Sequence, residues 1–143
     1  MNELSVSLNK IVNAPIEVVF DAWLNPKTMA TFMMPIEGMN EPLVEIDARV
    51  DGQFSIIMEF EGNKLPHSGK YLSIERPHVL VFSWNQPFSS DETVVSLEFT
   101  KVDEQNTNIE LSHTKFVDEE SKNNHEGGWL CVLNIFTSLY KKL

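Results

Sequence analysis

The sequence predicts a single α+β domain over residues 1–143, in which an antiparallel sheet packs against one long C-terminal helix. Apolar and polar residues alternate with a period of two over most of residues 44–113, as in half-buried strands. After Asp118 the period becomes helical, and an apolar stripe runs to Leu143. The length is that of one domain, and the short connections between consecutive strands favour an antiparallel meander.

The N-terminal segment predicts one strand and two short helices. Alternation over residues 4–12 indicates a half-buried strand. Pro15 suits the first turn of a helix, and apolar residues at helical spacing extend that helix to about Leu24. Asn25 can cap a second short helix, which Pro35 ends.

From Pro42 onward, the sequence predicts about six strands joined by hairpins. The first of them spans residues 44–50 and presents Val44, Ile46, Ala48 and Val50 on one face. Gly, Asn, Asp and Pro mark the connections because these residues favour turns. The predicted turns and loops are Asp51-Gly52, Glu61-Gly62-Asn63, Arg76-Pro77-His78, residues 87–91 and residues 103–106.

The last 25 residues or so predict one amphipathic helix over 119–143. Gly127-Gly128 lies inside it, and each glycine costs about 1 kcal/mol relative to alanine. Close packing of a neighbouring element would compensate, as would a bend that gates a cavity. We therefore expect Gly127→Leu to disturb folding or ligand access. The predicted apolar stripe contains Trp129, Val132, Leu133, Phe136, Leu139, Tyr140 and Leu143.

The net charge of −10, from 21 acidic and 11 basic residues, argues against binding to nucleic acid or to an anionic membrane surface. The single cysteine, Cys131, excludes an intrachain disulfide. The N-terminus shows no signal-peptide pattern, and no apolar run approaches the ~20 residues that span a bilayer. We expect a cytoplasmic protein without a metal or cofactor, because no metal-ligand spacing or nucleotide-binding motif is present.

Several segments, taken in order, resemble one protein family. The carrying segments are Asn13-Ala14-Pro15, Val18-Val19-Phe20-Asp21-Ala22-Trp23, Val44-Glu45-Ile46-Asp47-Ala48-Arg49, Gly52-Gln53-Phe54, Gly69-Lys70-Tyr71-Leu72, Val81-Phe82-Ser83-Trp84, Glu110-Leu111-Ser112-His113-Thr114 and Gly127-Gly128-Trp129. Together they resemble the family related to the C-terminal domain of the Hsp90 ATPase activator, within the Bet v 1-like, START-related superfamily. The resemblance implies a helix-grip fold, a curved sheet of about six or seven strands around the C-terminal helix, with a cavity between them.

The same resemblance implies that the cavity holds a small apolar or aromatic molecule, such as a lipid or a polyketide-like compound. The segment after the second short helix departs from the family pattern. Where relatives often carry a pair of tryptophans, this chain has Phe32-Met33-Met34-Pro35. Flexible thioethers in place of rigid indoles predict an adaptable rim of the cavity.

The candidate ligand-binding residues are inward-facing aromatic and apolar side chains together with one histidine. They also fit a filled core in which these side chains only touch one another. Strand alternation and helix periodicity give their direction, but not the space between them. The candidates are Phe20, Trp23, Phe32, Met33, Met58, Phe60, Tyr71, Phe82, Trp84, Phe99, His113, Trp129, Leu133 and Phe136.

Two histidines and one charged pair allow alternative interpretations. His113 continues the inward phase of its strand, where it either meets a ligand or is satisfied by a backbone carbonyl or a hydroxyl such as that of Tyr71. His125 precedes Trp129 by one helical turn, at the cavity entrance or simply exposed. Arg49 either pairs with a ligand carboxylate or makes a surface ion pair.

Three functions remain open from the sequence. The leading hypothesis is non-enzymatic binding of a small apolar or aromatic molecule. The resemblance also implies a chaperone-associated domain, although we expect no counterpart of the additional N-terminal domain of the eukaryotic activator. A cyclase- or hydratase-like enzyme is the last alternative, and it requires His113 to reach the cavity.

Overall fold

The computed structural model describes residues 4–86 and 92–140. The predicted loop over residues 87–91 and the last stripe residue, Leu143, lie outside the described residues. In chain order the described elements are β1 (Leu4–Val12), α1 (Ile16–Ala22), α2 (Pro26–Met29), β2 (Asn40–Ile46), β3 (Gln53–Phe60), β4 (Asn63–Glu75), β5 (Val79–Asn85), β6 (Glu92–Asp103), β7 (Asn106–Phe116) and α3 (Glu119–Leu139).

The strands form one antiparallel sheet in the order β1-β7-β6-β5-β4-β3-β2. Strands β2 to β7 are therefore a meander, and β1 lies beside β7 at the other edge. The curved sheet, the short helices after β1 and the long C-terminal helix confirm the predicted α+β, helix-grip architecture. Alternation explains the inner face, because every second residue is buried over 93–99 of β6 and over 107–113 of β7, such as Leu97 and Leu111.

The two short helices begin where the sequence predicts. Asn25 caps α2, since its Oδ1 accepts hydrogen bonds from the backbone N–H groups of Lys27 and Thr28 at 3.0 and 3.1 Å. Val19 and Phe20 are buried residues of helix α1. It ends at Ala22, two residues before the predicted end, which is within the usual uncertainty of helix ends.

Strand β2 is shorter than predicted; the predicted hairpin with β3 is present, but a loop longer than the Asp51-Gly52 turn joins the two strands. The strand ends at Ile46, and Ala48 and Val50 are exposed in a loop. Asp51 adopts a left-handed conformation with φ +67°, and its N–H donates to the Tyr71 carbonyl at 2.9 Å. That bond connects the end of the loop to β4 rather than to β2, so the loop extends over residues 47–52.

The turn between β3 and β4 is the tight hairpin that the sequence predicts. Glu61 and Gly62 have φ values of +52° and +81°, as a two-residue turn of type I′ requires. The pairing of Phe60 with Asn63 closes this turn. Register along both strands is consequently fixed, which places their alternate residues towards α3.

Helix α3 begins at a cap, because the Asp118 side chain accepts from the Ser121 N–H at 2.7 Å. Its buried residues are Trp129, Val132, Leu133 and Phe136, as the apolar stripe predicts. Leu139 departs from the prediction and is 45% exposed. In the last turn, half-buried Tyr140 packs against the core instead, with its ring 5.3 Å from that of Phe136. No helix among the described residues is long and apolar enough to cross a membrane.

Candidate functional site

The main cavity of the described structure lies between the N-terminal half of α3 and strands β3 to β5. Its volume is about 590 Å³. The loop after α2 closes one side of it. Its lining residues are Met33, Pro35, Ile36, Met39, Met58, Leu65, His67, Trp84, Gln86, Asn123, Asn124, His125, Gly127, Gly128, Trp129 and Val132.

The cavity exists because α3 packs tightly over only part of its length. In its C-terminal half, the Phe136 ring lies 4.7 Å from Phe32 and 5.6 Å from Trp23. Towards the N-terminal half, the rings of Trp129 and Trp84 are 5.2 Å apart and line the cavity. The aromatic core thus fills one end of the space between sheet and helix and leaves the other end open.

The two glycines of α3 have different surroundings. A Cβ atom at Gly127 would meet nothing within 4 Å. A Cβ atom at Gly128 would lie 3.0 Å from the Cβ of Pro35. Close packing therefore accounts for Gly128, whereas Gly127 borders open space.

The segment that departs from the family pattern forms the rim. Met33 and Pro35 line the main cavity, while Met34 lines a second cavity of about 530 Å³ on the other side of the same loop. Phe32 does not reach either cavity and is buried beside Trp23. Gly127 lines both cavities, so the two spaces adjoin at this point of α3.

The structure divides the predicted site residues into two groups. Met33, Met58, Trp84 and Trp129 line the main cavity. The others lie outside its lining; Phe60 is half-buried at the end of β3 and the rest are buried in the core. Those outside the lining are Phe20, Trp23, Phe32, Phe60, Tyr71, Phe82, Phe99, His113, Leu133 and Phe136.

His113 is fully buried, and both of its ring nitrogens are hydrogen-bonded. The indole N–H of Trp129 donates to its Nδ1 at 2.8 Å. Thr93 Oγ1 lies 2.6 Å from its Nε2 and also donates to the Trp84 carbonyl at 3.0 Å. Because the threonine has only one proton to donate, Nε2–H of His113 donates to Thr93.

This network satisfies His113 with a threonine and a tryptophan, rather than with a backbone carbonyl or Tyr71. Burial, with a smaller contribution from nearby His125, lowers the pKa of His113 to about 3, so the ring is neutral at pH 7. The enzyme alternative requires His113 to reach the cavity. His113 lies outside the lining of both cavities, which leaves that alternative without its proton-transfer group.

His67 and His125 are the histidines that do line the main cavity. Nδ1 of His67 is 3.0 Å from the Leu65 carbonyl, and Nδ1 of His125 is 2.8 Å from the Ser121 carbonyl. Burial lowers the pKa of His67 to about 4, and burial also lowers the pKa of His125. The half-buried position of His125 at the cavity supports the entrance interpretation rather than the exposed one.

Sequence reasoning missed His67 as a site residue. The signal was present, because His67 shares the period-two phase of Leu65 and Tyr71, both of which face inward on β4. The irregular pattern of that strand concealed it. Gly69, next in the same phase, has no side chain because a Cβ there would collide with the Ser83 carbonyl and the Phe54 ring.

The remaining polar groups give the main cavity little charge. Gln86 Nε2 reaches Ser121 Oγ at 3.4 Å and links β5 to α3. The indole N–H groups of Trp23 and Trp84 are buried without a partner among the described residues. Within residues 4–86 and 92–140, no group of three or more His, Cys, Asp or Glu side chains could hold a metal ion.

Arg49 takes no part in the cavity. Its Nε lies 2.8 Å from Asp47 Oδ2, with more than half of each side chain exposed. The surface ion-pair interpretation is therefore the one that the structure supports. The partner lies in the same loop because β2 ends before both residues.

Comparisons with known proteins agree with this architecture. A crystal structure from Chromobacterium violaceum is similar over 97% of this chain and 99% of its own, with a TM-score of 0.82 and 19% identity. CalU16 from Micromonospora echinospora is 23% identical over 96% of this chain and 76% of its own, with a TM-score of 0.72. An HSP90 activator from Plasmodium falciparum is 25% identical over 95% of this chain and 96% of its own, with a TM-score of 0.76.

A search of curated proteins finds no match. The sequence model described as "Activator of Hsp90 ATPase homolog 1-like protein" matches residues 13–141, which is nearly the whole chain. The chain therefore belongs to the family of activator of Hsp90 ATPase homolog 1-like proteins.

Proposed function

We propose that this protein binds a small apolar or aromatic molecule in the main cavity. The observation that carries the proposal is the incomplete packing between sheet and helix, which leaves about 590 Å³. Small-molecule sites typically measure about 300–1,000 Å³ and have mostly apolar walls with a few polar groups. The main cavity has both properties.

The walls of the main cavity favour apolar ligands. Trp84 and Trp129 supply flat aromatic surfaces, and Met58, Leu65 and Val132 supply aliphatic ones. These walls belong to β3, β4, β5 and α3, and Met58, Trp84, Trp129 and Val132 are themselves buried members of the packed core. Binding therefore requires little reorganisation of the walls, which lowers its entropic cost.

The rim is more adaptable than the walls. Met33 and Met39 flank the cavity on the loop side, and half-buried Met39 has an unbranched thioether that adapts to ligands of different shapes. We expect the protein to accept several related scaffolds with similar affinity. A rim of this kind is typical of a carrier or a sensor with broad selectivity.

Thermal unfolding in the presence of a small panel tests the proposal. The panel contains a fatty alcohol, a flavonoid-like aromatic and a sterol, each compared with solvent alone. A ligand at 100 times its Kd stabilises the native state by about 2.7 kcal/mol, which is readily measured. Binding is then located by chemical-shift changes in the NMR spectrum, which we expect at Met58 and Gly127.

A blocking variant makes the test specific to the main cavity. In Gly127→Leu, the new side chain enters open space beside both cavities, so folding should survive while ligand stabilisation is lost. Glu126→Leu is the matched control, because Glu126 is exposed on the same helix and lines neither cavity. If no compound shifts the melting temperature or the spectrum, or if both variants respond alike, the proposal is wrong.

A second candidate function is association with an Hsp90-type chaperone. The observations that favour it are the family match over residues 13–141 and the similarity to an HSP90 activator from Plasmodium falciparum. A pull-down with an Hsp90-type ATPase, followed by an ATPase assay, tests it directly. Gly127→Leu separates the two functions, because a surface-mediated effect on the ATPase should persist when the main cavity is blocked.

A further inference from the structure

Two histidines face the main cavity from opposite sides. His67 lies on β4 of the sheet, and His125 lies on α3. The ring of His67 lies over Trp84, with centroids 5.1 Å apart and planes inclined by 35°. The ring of His125 is held by Phe116, at 5.1 Å. Aromatic neighbours therefore restrict both imidazoles.

The hydrogen bonds to the backbone determine the tautomer of both rings. A backbone carbonyl only accepts, so Nδ1 of His67 must carry a proton to donate to Leu65, and Nδ1 of His125 must do so towards Ser121. In a neutral imidazole the other nitrogen, Nε2, is then an acceptor. Neither Nε2 has a hydrogen-bond partner within the described part of the chain.

Both rings are neutral at pH 7, because burial lowers the pKa of each and His125 also disfavours the charged form of His67. Each of these two histidines therefore presents one hydrogen-bond acceptor to the main cavity. His113 differs, since the same nitrogen of that ring already donates to Thr93. His113 therefore has a structural role, whereas His67 and His125 can each accept one further hydrogen bond.

The charges around the main cavity also affect which ligands it can hold. Among the described residues that line the main cavity, none is lysine or arginine. The chain carries a net charge of −10, and Glu126 adjoins the lining residues of α3. A ligand carboxylate would be partly dehydrated here without meeting a cation, and the free Nε2 atoms of His67 and His125 could not pair with it.

We infer that the main cavity selects uncharged molecules that carry hydroxyl groups, and that His67 and His125 accept hydrogen bonds from those hydroxyls through Nε2. This inference rests on the proposed ligand-binding function and adds a chemical class to it. Phenols and alcohols have the required donor, whereas ethers of the same shape lack it and carboxylates bring a charge. The aromatic walls of Trp84 and Trp129 favour the phenols.

Three probes of one scaffold test the inference: dihydroxybiphenyl, dimethoxybiphenyl and biphenyl dicarboxylate. Calorimetric titration at neutral pH compares their dissociation constants. A net hydrogen bond changes affinity by about three- to tenfold, so we expect the diol to bind at least threefold more tightly than the diether. The dicarboxylate should bind more weakly than either.

Variants then assign the preference to the histidines. His67→Phe and His125→Phe each keep a ring and remove the acceptor, so each should lower the diol preference by about three- to tenfold and leave the diether unaffected. His78→Phe is the matched control, because His78 is exposed in the turn between β4 and β5 and lines neither cavity. In the unmodified protein, the ¹⁵N shift of Nε2 should change with the diol and not with the diether.

The outcomes separate this inference from the function on which it rests. A diol that binds no more tightly than the diether, or that leaves both Nε2 shifts unchanged, overturns the inference while ligand binding stands. Tight binding of the dicarboxylate also overturns it. If none of the three probes binds, and the panel of apolar ligands fails as well, both proposals are wrong.

Discussion

Two neighbouring glycines of α3 should differ in their response to the same substitution. Gly127→Ala adds a methyl group into open space, since nothing lies within 4 Å of a Cβ at that position. Gly128→Ala adds the same group 3.0 Å from the Cβ of Pro35. The comparison isolates tertiary packing, because both residues occupy the interior of one helix.

The expected magnitudes follow from helix propensity and from crowding. Alanine is favoured over glycine inside a helix by about 1 kcal/mol, so Gly127→Ala should raise the free energy of unfolding by about that amount. For a domain of this length, the melting temperature should rise by about 3 °C. At Gly128, the same gain is offset by overpacking against Pro35, which costs about 1 kcal/mol or more.

Urea denaturation followed by far-UV circular dichroism measures both values, with thermal unfolding as a second probe. We expect the midpoint of Gly127→Ala to lie above that of the parent protein, and the midpoint of Gly128→Ala to lie clearly below that of Gly127→Ala. Equal shifts for the two variants would refute the reasoning. So would a loss of stability in Gly127→Ala, because it would mean that the space beside that residue is not open.

The remaining predictions concern buried side chains and their ionisation. His113→Phe leaves the Trp129 N–H buried without an acceptor and should cost about 1–3 kcal/mol in urea denaturation, whereas exposed His78→Phe should stay within about 0.5 kcal/mol. Phe136→Ala removes the ring that anchors α3 and should cost about 3–5 kcal/mol by the same measurement. Unfolded histidines bind protons below pH 6.5, while the pKa of folded His67 is lowered to about 4. The free energy of unfolding should therefore decrease from pH 6.5 towards pH 4, and His67→Phe should reduce that slope by about 1.4 kcal/mol per pH unit.

Local patterns in the sequence predict most of the fold because each has a direct local cause. The cap at Asn25, the two-residue turn after Phe60 and the buried stripe from Trp129 to Phe136 all follow from residue type and spacing. The end of β2 does not. Alternation continues to Val50, but the chain leaves the sheet after Ile46, where the Arg49 N–H donates to the Asp47 carbonyl and the Gly52 N–H to the Arg49 carbonyl.

The cavity could not be predicted, for a different reason. Alternation gives the side of the sheet on which a side chain lies, but the distance between sheet and helix is set by the largest groups that meet. Here those groups are Phe136, Trp23 and Phe32, and they come together at one end of α3. The roles of the histidines were equally hidden, since a tautomer depends on the partner of each nitrogen.

The arrangement of the three tryptophans supplies the protein with its own optical reporter. Trp84 and Trp129 line the main cavity, and Trp23 lies 6.5 Å from Trp129, ring centre to ring centre. A guest that touches either wall should therefore change the emission of the indole that it contacts. Occupancy can consequently be followed by intrinsic fluorescence without a label, and the absence of other tryptophans from the chain means that no distant indole dilutes the signal.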